Sequence, residues 1–115
     1  MLPVKMRIDN PDEESIAMVI ERVDISVIAG REIEFESVME RGCALLAGAS
    51  GCTSVLLLRC VERPSRYSLH LEWNSIADHQ AFTKTQEVQT FREIAGPFFS
   101  ERPAMEHFQP VHRRE

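Results

Sequence analysis

The feature that most restricts the fold is a hairpin, "CTSVLLLRCVERPSRYSLHLEWN" (52–74), whose two arms carry different patterns. The second arm, 67–74, sets Tyr67, Leu69, Leu71 and Trp73 on one face against Ser68, His70, Glu72 and Asn74 on the other. A period of two is the pattern of a strand with one buried face. The first arm, 52–62, is apolar on both faces, which suits a strand covered on both sides. "RPSR" joins the arms, with Pro64 fit for the first corner of a turn. A helix begins directly after the hairpin, because Ser75 is a good N-cap with Asp78 three residues on.

The remaining segments fall into place around this unit. "IAMVIERVDISVI" (16–28) alternates in its second half, with Val23, Ile25 and Val27 opposite Arg22, Asp24 and Ser26, and so reads as a strand that Gly30 ends. From 31 to 47 the period lengthens: Phe35, Val38, Met39, Gly42, Leu45 and Leu46 recur at helical steps, with glutamates near the N-terminus, where the helix dipole favours them. Gly42 costs about 1 kcal/mol against alanine inside a helix, which predicts close packing of this helix on the sheet. The second helical region reaches about Ala95, with a restart capped by Thr85, and Gly96-Pro97 stops it. A last strand is predicted over 104–111. Residues 1–15 read as an irregular arm, 16–111 as one domain and 112–115 as a charged tail.

Strand, helix, strand, strand, helix, strand is the order of an α+β, ferredoxin-like βαββαβ unit: an antiparallel four-stranded sheet with its helices on one face. The other face would stay open in a monomer. The two-sided apolar character of 52–62 therefore predicts that a second copy covers it, giving a homodimer.

Composition removes several classes of function. The chain of 115 residues is 43% hydrophobic and 27% charged, which suits one globular domain. Its net charge of −5 and lack of a basic cluster argue against a nucleic-acid surface. No run approaches the roughly 18 apolar residues of a membrane span. The first residues lack the apolar stretch of a secretion signal, so a cytoplasmic location is expected. Cys43, Cys52 and Cys60 have no CxxC spacing and read as reduced, mostly buried thiols. No His-x-His, His-x₃-His or acidic cluster offers a metal shell, and no metal is expected.

"VIAGREIEFE", "GCTSVLLLRCVERPSRYSLHLEWNSIADHQAF" and "GPFFSERPAMEHFQPV" together resemble the antibiotic biosynthesis monooxygenase (ABM) domain family across about 16–111. The resemblance implies a dimeric α+β barrel with a pocket in each subunit between sheet and helices. One branch of the family degrades heme with an Asn, a Trp and a His; the matching positions here hold Val23, Phe82 and Arg92, which disfavours that chemistry. Another branch comprises cofactor-free oxygenases. Its strand-end Trp is matched by Trp73, its Tyr six residues on is replaced by His79, and its Asn four residues before the Trp is replaced by Leu69. Its basic residue on the second helix is answered approximately by Arg92.

Such a pocket would hold a phenol or enol, exclude water and assist deprotonation, so that the anion reacts with dioxygen. Trp73, Phe82 and Phe91 are the candidate walls, with Phe98 and Phe99 as a lid or rear wall. His79 is the candidate base, and Arg92 or Arg59 the candidate partner of the oxyanion. Each residue also has an ordinary structural use: the aromatics as core, Arg92 as a solvated helix charge, Arg59 as a partner of Glu72 across the hairpin. His70 faces away from Trp73, towards the predicted interface, while His107 lies in the last strand and His112 in the tail. The expected function is cofactor-independent monooxygenation of an aromatic or quinol-like small molecule. The alternatives are a non-catalytic ligand-binding or dimerisation module and an isomerase on the same scaffold.

Overall fold

The computed structural model describes residues 17–114, so the expected arm at 1–15 lies outside the described residues. The elements are β1 (Ala17–Ser26), α1 (Glu32–Ala47), β2 (Cys52–Arg59), β3 (Arg66–Ser75), α2 (Ile76–Phe82), α3 (Gln86–Ala95) and β4 (Ala104–Phe108). A 3-10 turn at Gly96–Phe98 follows α3. The sheet order is β2-β3-β1-β4, antiparallel throughout, as the ferredoxin-like reading requires.

Alternation fixes which side chains are buried. On β1 and β3, Val19, Glu21, Ile25, Tyr67, Leu69, Leu71 and Trp73 share the face beneath the helices, and all are buried. The even-numbered residues, including Arg22, His70 and Glu72, occupy the open face, so His70 does turn away from Trp73. β2 is an edge strand, and among the described residues nothing covers its outer side: Leu56 and Leu58 are exposed there. Phe108, paired with Ile20, is exposed on the same face.

Local chemistry sets the boundaries. Ser75 accepts the Asp78 backbone N–H at 3.1 Å to start α2, and Thr85 accepts the Val88 N–H at 3.3 Å to start α3. The predicted split of the second helical region is therefore real. The last strand ends at Phe108 rather than 111, and β2 ends at Arg59 rather than 62. Gly51 adopts φ +86°, and a Cβ there would collide with the Asp78 carboxyl, so both backbone and neighbours require glycine. Gly42 is also a close-approach position, but towards a helix instead of the sheet. A Cβ would meet Phe91 of α3 at 3.3 Å and Met39 Sδ at 3.0 Å.

After α3 the chain returns beside the end of β1. Ile28 donates to the Phe98 carbonyl and Ser100 to the Ser26 carbonyl, both at 2.8 Å, with Val27 bridged to Phe99. This return closes one side of the space between sheet and helices.

Candidate functional site

A cavity of about 520 Å³ lies between the helix-facing side of the sheet and helices α2 and α3. Leu69 and Leu71 of β3, Val23 of β1, Phe82 of α2, and Phe91 with Phe99 supply apolar walls. Arg92 and Arg102, both exposed, border its open side. A second hollow of about 500 Å³ lies outside, lined by small residues such as Ala44, Gly48 and Ala81. Phe82 borders it as well, but it contains neither His79, Glu21 nor any other aromatic wall, so the chemistry belongs to the first.

The polar end of the cavity is built from four elements, β1, β3, α2 and β4. Glu21 of β1 stands opposite Leu71 of β3 on one side and His107 of β4 on the other. Glu21 and His79 are both 7% exposed and both line the cavity. The Trp73 indole N–H donates to Glu21 Oε1 at 2.9 Å. His79 Nε2 lies 3.3 Å from the same oxygen, and His79 Nδ1 lies 2.7 Å from His107 Nε2. The His79 ring stacks on Trp73 with centroids 5.2 Å apart.

Burial sets the electrostatics. It raises the Glu21 carboxyl above its ordinary range, and the Trp73 hydrogen bond only partly offsets this. Burial first, and the neighbouring His107 second, push His79 down to about 4. Glu21 and His79 are therefore not an ion pair near neutral pH, because the imidazole is uncharged.

The sequence-expected residues divide. His79, Leu69, Phe82, Phe91 and Arg92 all border the cavity. Trp73 does not: it is fully buried beneath the wall and acts on the site through Glu21 and His79. Phe98 packs 6.1 Å from Phe35, under the Arg31 guanidinium, and its neighbour Phe99 lines the cavity instead. Arg59 is held by Glu36 at 2.8 Å, together with the Tyr67 hydroxyl at 2.6 Å, and its partner is not Glu72. Burial and Glu36 push the Tyr67 phenol up to about 12.

Glu21 was not singled out from the sequence, although it is in phase with Val23, Ile25 and Val27 two residues later. A lone acid on the apolar face of a strand was the available signal. Among the described residues no group of three or more His, Cys, Asp or Glu side chains is placed to hold a metal ion. No helix among them is long and apolar enough to cross a membrane.

Comparison with known proteins agrees with this architecture. The family model for antibiotic biosynthesis monooxygenases matches residues 18–94. The uncharacterized protein YczJ of Bacillus subtilis (strain 168) is 30% identical over 95 residues, spanning 82% of this chain and 100% of that protein. A Bordetella bronchiseptica structure assigned to the antibiotic biosynthesis monooxygenases is 34% identical, with TM-score 0.80, covering 84% of this chain and 100% of the other. SnoaB of Streptomyces nogalater, a cofactor-independent oxygenase, shares the fold at 18% identity and TM-score 0.76, over 85% of this chain and 97% of its own. With the match spanning most of the domain and the cavity lying where the resemblance implies, the chain belongs to the antibiotic biosynthesis monooxygenase family.

Proposed function

We propose that the protein is a cofactor-independent monooxygenase of flat phenolic or enolic aromatics, of quinol or anthrone type. The observation that carries this reading is the apolar cavity with a single buried polar end at Glu21 and His79. Its volume of about 520 Å³ suits a small-molecule site. Leu69, Phe82 and Phe91 hold the ring, while Trp73 fixes the polar end from beneath. The substrate loses a proton there, and Arg92 stabilises the anion from the open side.

The electron-rich anion passes one electron to dioxygen, and the radical and superoxide couple to form a carbon–oxygen bond. The resulting peroxide loses water as its O–O bond breaks. One oxygen atom remains as a new carbonyl and the other leaves as water. The reacting carbon, losing two hydrogens, supplies all four electrons, so no external reductant enters the balance.

Oxygen uptake with a panel of anthrones and naphthoquinols tests the reading. Wild type is expected to consume oxygen, and His79→Ala, which removes the group facing Glu21 Oε1, to lower kcat/KM by about 10–100-fold. No uptake by wild type with any member of the panel would sink the oxygenase, and equal uptake by both proteins would remove His79 from it.

The reading includes a homodimer joined through the open sheet face, where Leu56, Leu58 and Phe108 are 51%, 41% and 44% exposed. A grouping of large apolar side chains on one face is what an obligate partner covers. Light scattering should give twice the chain mass for wild type, and Leu56→Glu with Leu58→Glu should halve it. A monomeric wild type overturns the dimer. A cytoplasmic location fits the three unpaired cysteines, because a reducing compartment keeps thiols free.

A further inference from the structure

The polar end of the cavity presents two candidate bases, and their hydrogen bonds distinguish them. Both nitrogens of His79 are turned to protein: Nδ1 to His107 Nε2 at 2.7 Å and Nε2 to Glu21 Oε1 at 3.3 Å. Glu21 is different. Its Oε1 receives Trp73 and faces His79, whereas Oε2 makes no hydrogen bond among the described residues. Yet no sealed-off side-chain nitrogen or oxygen among those residues lacks a partner. Oε2 must therefore reach accessible space, and the space that Glu21 borders is the cavity.

We propose that Glu21 is the catalytic base, taking the substrate proton on Oε2, and that His79 and His107 are positioning residues that orient and poise it. The proposal rests on the oxygenase reading for the kind of acid it deprotonates.

Proton bookkeeping supports the assignment. With Glu21 ionised, His79 must carry its proton on Nε2, facing Oε1, because a carboxylate only accepts. His79 Nδ1 is then an acceptor, and His107 must donate from Nε2. Each tautomer is fixed by the next group, and neither nitrogen of His79 is left to take a proton from the cavity. When Glu21 accepts the substrate proton it becomes neutral, and the O–H bond that breaks leaves its electron pair on the substrate oxygen. The only new charge is then the substrate anion, facing Arg92 and Arg102.

Basicity points the same way. An imidazole held near 4 is a poor acceptor, while a carboxylate destabilised by burial is a stronger base than one in water. The charged and titratable groups around Glu21 are His79 from α2, His107 from β4, Cys52 from β2, and Arg92 and Arg102 across the cavity. Since Glu21 must be ionised to act, proton abstraction rises with pH through its elevated pKa. His79→Phe removes the donor facing Oε1 and should move that midpoint to higher pH. His79→Gln keeps an N–H there and should leave it nearly in place.

The test separates proton abstraction from oxygen chemistry. Dithranol, an anthrone, is mixed with the full chain without oxygen, and the visible absorbance of its anion is followed across pH. Wild type should form the anion. Glu21→Gln, which retains an acceptor for Trp73, should form it about 100-fold more slowly, with Trp73 emission verifying the fold. Anion formation by both proteins at equal rates, or by neither, overturns the assignment, as does an unmoved midpoint in His79→Phe. Air is then admitted. Uptake that ignores Glu21 sinks this inference and leaves the oxygenase standing. A Glu21-dependent anion with no uptake sinks the oxygenase and leaves this inference standing.

Discussion

Trp73→Ala should destabilise the protein by about 4–6 kcal/mol in urea denaturation followed by far-ultraviolet circular dichroism. Two causes combine. The indole is 0% exposed, and removing so large a buried ring leaves a cavity that costs about 3–5 kcal/mol. It also strips Glu21 Oε1 of the donor held at 2.9 Å, a loss worth about 1–3 kcal/mol for a buried acceptor. The two share a site and need not add fully. Trp73→Phe separates them: it refills most of the volume and should show mainly the second cost, about 1–3 kcal/mol. Against a total stability of about 5–15 kcal/mol, the alanine variant would be near unfolding. A loss under about 2 kcal/mol would mean that the indole does not hold the polar end together.

The second large effect depends on pH. His79 is pushed from 6.5 down to about 4 in the folded chain, so the unfolded chain binds its proton more readily. Its contribution is fully present above pH 6.5 and is lost as pH falls towards 4. The full span corresponds to about 3 kcal/mol. Glu21, raised by burial, works with the opposite sign, since its stabilising contribution is lost as pH rises. Comparing wild type with His79→Gln isolates the histidine, because Glu21 remains in both. The stability gap between them should shift by about 3 kcal/mol against the wild type from pH 7 to pH 4. Parallel curves would place a charged His79 in the folded protein.

What the sequence discloses and what it hides follow from the range of the interactions. The second hairpin arm, the Ser75 and Thr85 caps and the turning of His70 away from Trp73 rest on neighbours within a few residues, and all appear as read, while the first arm stops at Arg59 instead of 62. Arg59 was assigned a cross-hairpin partner, but Arg59 pairs with Tyr67 and Glu72 with Ser54, which places the two side chains on opposite faces. Strand parity alone forbids that contact. Gly42 does mark a tight approach, but periodicity does not say whether helix or sheet comes close. Glu21 is hidden for another reason. A charged residue reads as solvated until a helix from elsewhere buries it, and Ile76–Phe82 does so here. His107 likewise acquires meaning only from His79, which lies 28 residues away in the chain.

That last contact has a consequence for how the protein matures. Glu21, His79 and His107 come from the first strand, the middle helix and the last strand, so their meeting requires almost every loop to be closed. A chain still emerging from the ribosome, or one with its final strand undocked, has the aromatic walls but not the assembled triad. Intermediates of synthesis and partial unfolding therefore lack the buried Glu21–His79–His107 cluster. A buried, low-pKa histidine signal would appear only with the complete fold, making His79 a built-in marker of native assembly.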